Sequence, residues 1–140
     1  MTDPKDLPVL SPETLAEFEA NRAQIVNEVV ERSMQRPDEV AQHGSRARQL
    51  LTAGLGYTTE ALGVAMRLHD CELLFIQVRW ANERLPHDGV APQHMLARFQ
   101  ILADVVRATL APADAAAVNQ YVDALIAFEQ AFVQASAHPA

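Results

Sequence analysis

Along most of this chain the apolar residues recur at alternating steps of three and four, the period of a helix buried on one side. The first series opens at Ser11-Pro12-Glu13. There a hydroxyl able to accept from exposed helix amides, a proline suited to the first helical position and a first-turn acid stand together. Leu15, Phe18, Arg22, Ile25, Val29 and Met34 follow at near-helical spacing, with Val26 and Val30 widening the stripe, until Arg36-Pro37 breaks it. A second, less apolar helix is expected from Asp38 through Val40, Ala47, Leu50 and Leu51, with Gly54 and Gly56 ending it.

Thr58 or Thr59 then caps a third and longest helix, expected to run to about Arg84. Its positions Leu62, Met66, His69, Leu73, Ile76 and Trp80 form a coiled-coil-like seam, while Val64, Leu68, Phe75 and Val78 lie on another face. Leu85-Pro86-His87-Asp88-Gly89 has the composition of a sharp turn. Pro92 opens a fourth helix carrying Met95, Phe99, Leu102, Val106 and Leu110, and Ala111-Pro112 ends it. The fifth carries Val118, Tyr121, Val122, Leu125, Phe128 and Phe132 before the tail ASAHPA. No stretch alternates with the period of a strand, and no repeat is visible. The pattern predicts an all-α bundle of about five to seven helices. Residues 1–10 are expected to be a flexible lead, 11–136 a single domain and 137–140 a tail.

Composition reinforces this. The 140 residues suit one domain with a single core, 24 of them are alanine, the strongest helix former, and aromatics make up only 6%. With ten Arg and one Lys scattered against 18 acids, the net charge of -7 argues against a nucleic-acid or anionic-membrane surface. The N-terminus has no apolar stretch of signal-peptide length, and the lone Cys71 allows neither an internal disulfide nor a cysteine zinc site. A cytoplasmic location is therefore expected.

Candidate chemistry is sparse. Cys71 and His69 are two apart on the expected helix, so they point to different faces, and Cys71 reads as a buried, inert thiol. His69 lies on the apolar seam, where a titratable ring serves as an axial ligand, a pH sensor or an interface residue; the plainer reading is a half-buried ring satisfied by a neighbour. His43, His87, His94 and His138 show no paired metal spacing. Asp70 and Glu72 diverge on a helix and read as solvated charges or partners of Arg67 or Arg79. Gly54-Leu55-Gly56 is too short for a phosphate loop. With no acid–base constellation, an enzyme is not expected.

The segment LPHDGVAPQHMLARFQILADVVRATL, followed by AVNQYVDALIAFEQAFV, resembles the end of a bacterial globin. Gly89-Val90-Ala91-Pro92-Gln93-His94 is similar to the turn that follows the proximal histidine in that family. The resemblance places Leu85 where the iron ligand would stand, and leucine cannot ligate iron, so it implies the globin-like fold without haem. Arg67-Leu68-His69-Asp70-Cys71-Glu72-Leu73-Leu74 resembles the chromophore segment of phycobiliproteins, themselves globin-like. There Asp70 matches the aspartate that holds the bilin, while Arg67 stands where the thioether cysteine would be. Leu73-Leu74 to Trp80, then Gly89-Val90-Ala91-Pro92, is similar to haem-free globin-like sensor domains at the N-terminus of stressosome co-antagonist proteins.

These resemblances imply a haem-free, globin-like sensor or regulatory domain of bacterial stress signalling. It would act as a homodimer through the long third helix and the last two helices, with a signalling protein as a possible partner. Its pocket would be lined by Leu51, Leu55, Tyr57, Met66, His69, Phe75, Trp80, Leu85, Met95 and Phe99, each of which also reads as plain core. A globin without haem must fill that volume with side chains or an apolar guest such as a fatty acid, and a non-covalent bilin is a further candidate. Two alternatives stay open: a haem-binding globin using His69, His87 or His94, for gas sensing or oxygen chemistry, and a helical interaction adaptor with no small ligand.

Overall fold

The computed structural model describes residues 6–84 and 90–137. Among them are six α-helices and no strand: α1 (Pro12–Met34), α2 (Pro37–His43), α3 (Ala47–Leu68), α4 (Glu72–Arg84), α5 (Pro92–Thr109) and α6 (Pro112–Ala137), with a 3-10 turn at Gly44–Arg46 between α2 and α3. The chain is an all-α bundle. α5 and α6 share the largest helix–helix interface, α1 crosses both α3 and α5, and α4 packs on α3 and α6.

The start of α1 follows its sequence signals closely. Ser11 stands at the N-cap and its hydroxyl accepts from the Thr14 amide at 3.1 Å, with Pro12 in the first turn. Phe18, Ile25, Val26, Val29 and Val30 are buried along one stripe. Thr14 also donates to Asp114 at 2.7 Å, tying the start of α1 to the first turn of α6.

The middle of the chain departs from expectation twice. The second helix does not run from Asp38 to Gly54; it stops at His43, and Gly44, at φ 62, makes the break. α3 then passes straight through Gly54 and Gly56, because buried Leu51, Leu55, Leu62 and Met66 hold it on the bundle and outweigh the weak propensity of two glycines. Thr58 and Thr59 are not caps. Their hydroxyls donate to the Gly54 and Leu55 carbonyls one turn back.

The long third helix is two helices. His69 adopts the left-handed region, φ 54 and ψ 43, ending α3, and the His69 and Asp70 amides both donate to the Ala65 carbonyl. Asp70 Oδ1 then accepts from the Glu72 amide at 2.9 Å and starts α4. Asp70 is thus a capping residue, and the ion pair of Arg67 goes to Glu19, at 3.3 Å, rather than to Asp70 or Glu72.

Residues 7–10 of the expected lead pack against the bundle. Leu7 and Leu10 are buried in the core. His69 Nε2 donates to the Leu7 carbonyl at 2.5 Å, and the Tyr121 hydroxyl donates to the Pro8 carbonyl at 2.7 Å. Residues 7–10 therefore form a strap across the α3–α4 corner and α6.

Candidate functional site

One opening between helices lies where α3, α4 and α5 meet. It is a groove of about 260 Å³ lined by Leu50, Gly54, Leu55, Tyr57 and Thr58 from α3, Gln77, Val78, Trp80 and Ala81 from α4, and Met95, Arg98 and Phe99 from α5. Five residues expected in a pocket, Leu55, Tyr57, Trp80, Met95 and Phe99, come together here. Leu55, Met95 and Phe99 form the buried floor, whereas Tyr57 and Trp80 stand at the rim, 64% and 60% exposed. Gly54 leaves one wall bare: a Cβ at this position would meet nothing within 4 Å.

The other candidates fall elsewhere. Leu51 and Met66 are buried on the inner side of α3, where they fill the core and do not line the groove. His69 and Phe75 line a separate cleft at the α3–α4 corner with Asp70, Cys71, Glu72, Ile76 and Arg79. Phe75 stacks on Phe128 at 4.5 Å and Arg79 lies 5.7 Å from the Phe128 ring centre, so that side of the corner is a packed aromatic seam. Leu85 and His87 lie outside the described residues. His94 faces Asp38 at 3.4 Å at the junction of α2 and α5 and does not line the groove.

A second, shallower groove runs along the outside of α3 and α4, lined by Tyr57, Glu60, Ala61, Val64, Leu73, Ile76 and Gln77. Leu73 and Ile76 are 58% and 50% exposed. Tyr57 and Gln77 line both grooves and form the ridge between them. No family model, curated protein or solved structure matches the chain. The chemistry of these surfaces must therefore be read from their own residues.

Titratable groups in the interior are few. Burial, helped by the Asp70 charge, pushes the Cys71 thiol up to about 11, so this buried cysteine is protonated and unreactive. Burial also raises the Tyr121 hydroxyl above its ordinary value, with Cys71 adding to the effect. The buried residue that the sequence reading passed over is Glu129 on α6. Burial pushes its carboxyl up to about 7, against the opposing pull of the Asn82 amide, which donates to it at 2.7 Å. Glu129 Oε2 and Asn82 Oδ1 have no other partner. A proton on Glu129 removes the buried charge while Oε1 goes on accepting from Asn82. The signal was present: Glu129 continues the buried series Val118, Val122 and Leu125, and Asn82 continues Leu74 and Val78. Among the described residues no three His, Cys, Asp or Glu side chains gather as a metal site, and no helix is long and apolar enough to cross a membrane.

Proposed function

We propose that this chain is a sensor or regulatory domain in which an apolar guest occupies the groove between α3, α4 and α5 and alters a docking face on the outer side of α3 and α4. The observation that carries this reading is the shared ridge: Tyr57 and Gln77 contact both spaces, so a guest that moves them also reshapes the outer groove. Such coupling needs only that the guest bind one arrangement of α4 against α3 better than another.

The occupant of the outer face in this reading is a second copy of the chain. Tyr57, Leu73 and Ile76 expose large apolar side chains on neighbouring turns, and such a patch is self-complementary across a two-fold axis. The dimer contact would therefore use α3 and α4 alone. The last two helices, expected to share in it, instead spend their large apolar residues on the core, with Phe99, Leu102, Tyr121 and Leu125 fully buried. The resemblance to haem-free globin-like sensor domains agrees with a guest other than haem.

Sedimentation velocity over a concentration series, with and without the neutral aromatic probe 4-ethylbenzamide, tests the coupling. The wild-type dimerisation constant should change when the probe saturates the groove, and Tyr57→Ala should abolish the response. A probe that saturates the groove with no change in association would refute the coupling. Haem ligation is less well supported, since His69 is bonded to the strap and His94 faces Asp38. A Soret band that shifts with carbon monoxide would reverse that order.

A further inference from the structure

Among the described residues, Glu129 is the only acidic or basic side chain sealed from solvent. It lies in the second half of α6 and joins that helix to α4 through one bond, the Asn82 amide donating to Oε1 at 2.7 Å, while Oε2 has no described partner. The charged groups on the surrounding helices are engaged or exposed elsewhere. On α4, Arg79 lies over the neighbouring Phe128 ring, and Glu72, Glu83 and Arg84 are exposed. On α5, His94 turns to Asp38 and Arg98 meets His43. On α3, Glu60 is exposed, Arg67 pairs with Glu19 and His69 bonds the strap. Arg22 and Arg32 of α1 pair with Glu19 and Glu28. On α6 itself Asp114 accepts from Thr14, Tyr121 bonds the Pro8 carbonyl and Asp123 is exposed. Two influences therefore act on the carboxyl, burial and the Asn82 amide, and burial prevails.

The partner helix is lightly held. Of the 13 residues of α4 only Leu74, Val78 and Asn82 are buried, whereas α5 buries six residues and shares with α6 the largest interface of the bundle. α4 also begins just after the non-helical corner at His69, a natural place for a small rotation. An ionised carboxylate in a dry interior is costly, and the cheapest relief is to admit water where the packing is thinnest, between the end of α4 and α6. We propose that the Asn82–Glu129 pair is a pH-sensitive latch, which holds the last turns of α4 on α6 while Glu129 is protonated and releases them about the His69 corner when it ionises. The released stretch carries Val78, Trp80 and Ala81 of the inner groove, so a partner or guest that selects the released arrangement is favoured by rising pH. The latch itself stands whether or not the groove receives a guest.

The test is native-state hydrogen exchange on the whole chain, read residue by residue by NMR across this pH range and corrected for the intrinsic rate at each pH. In the closed latch the Glu129 carboxyl is pushed up to about 7, and once hydrated it returns to its ordinary 4.5. The opening equilibrium at residues 78–84 should therefore rise about ten-fold per pH unit between those values and then level off. Amides in the buried parts of α5 and α6 should stay better protected than these at every pH. Glu129→Gln should hold the opening of α4 at its low-pH level throughout. The wild-type profile decides without any variant: if α4 exchanges only together with α5 and α6 in one global step, or if its opening ignores pH, the latch is refuted. A rise with pH that persists in Glu129→Gln belongs to another group and overturns the proposal as well.

Discussion

The α1–α5–α6 side of the bundle and the outer side of α3–α4 are made of the same kinds of residue and treat them in opposite ways. Phe18, Ile25, Leu102, Tyr121 and Leu125 are sealed from solvent. Leu50, Tyr57, Leu68, Leu73, Ile76 and Trp80 are large, apolar and exposed, and all six lie on α3 or α4. The first region spends its apolar area on the fold, and its contribution ends there. The second carries apolar area that the other described residues leave exposed, and this is the face on which the proposed docking depends.

That contrast is easiest to break with paired truncations. Leu125→Ala should cost about 2–5 kcal/mol in urea denaturation, since the cavity it opens is enclosed, whereas Leu73→Ala should change stability by less than about 0.5 kcal/mol. Comparable losses would show that the α3–α4 face is part of the core.

The next largest effect lies inside the packed region. Burial raises Glu129 from an ordinary value of 4.5 to about 7. The unfolded chain therefore ionises first, so stability should fall between about pH 4.5 and pH 7 and then level off. The total is on the order of 3 kcal/mol. Glu129→Gln removes the charge and keeps an oxygen that can accept from the Asn82 amide. It should stabilise the protein at pH 8, leave it unchanged at pH 4 and flatten the profile between, in thermal or urea melts at each pH. A variant with the same slope as wild type would place that pH dependence on another group.

Smaller effects sharpen the comparison at its boundary. Tyr121→Phe removes the bond to the Pro8 carbonyl. It should cost about 1 kcal/mol, with faster hydrogen exchange in the strap at residues 7–10. Gly54→Ala should stabilise α3 by about 0.5–1 kcal/mol, because nothing lies within 4 Å of the added methyl, yet it should weaken binding of 4-ethylbenzamide. A stabilised variant with full affinity would show that the bare wall is not used.

How much of this was legible in the chain depends on whether the decisive contact was local. Ser11-Pro12, Arg36-Pro37, Pro92 and Ala111-Pro112 act through their own backbone and mark helix ends where the fold has them. Gly54 and Gly56 misled because their propensity is a fraction of what buried Leu51 and Leu55 supply from the same helix. The break at His69 was hidden. A histidine in the left-handed region has no sequence signature of its own, and the seam from Leu62 to Trp80 kept its period across it. The same seam put Trp80 on an apolar face, yet its ring stands 60% exposed, because periodicity tells which residues share a face and not whether another helix covers it. Glu129 was passed over for a related reason: it matters through Asn82 on another helix.

The central claim, that the α3–α4–α5 groove receives a guest and communicates with the outer face, is tested most directly by a ¹H–¹⁵N NMR titration with 4-ethylbenzamide. The account predicts amide shifts at Gly54, Tyr57, Trp80 and Phe99 that saturate together with shifts at Leu73 and Ile76 across the ridge. Shifts confined to the corner around His69, Cys71 and Phe75, or no saturable shifts in the groove, would contradict it.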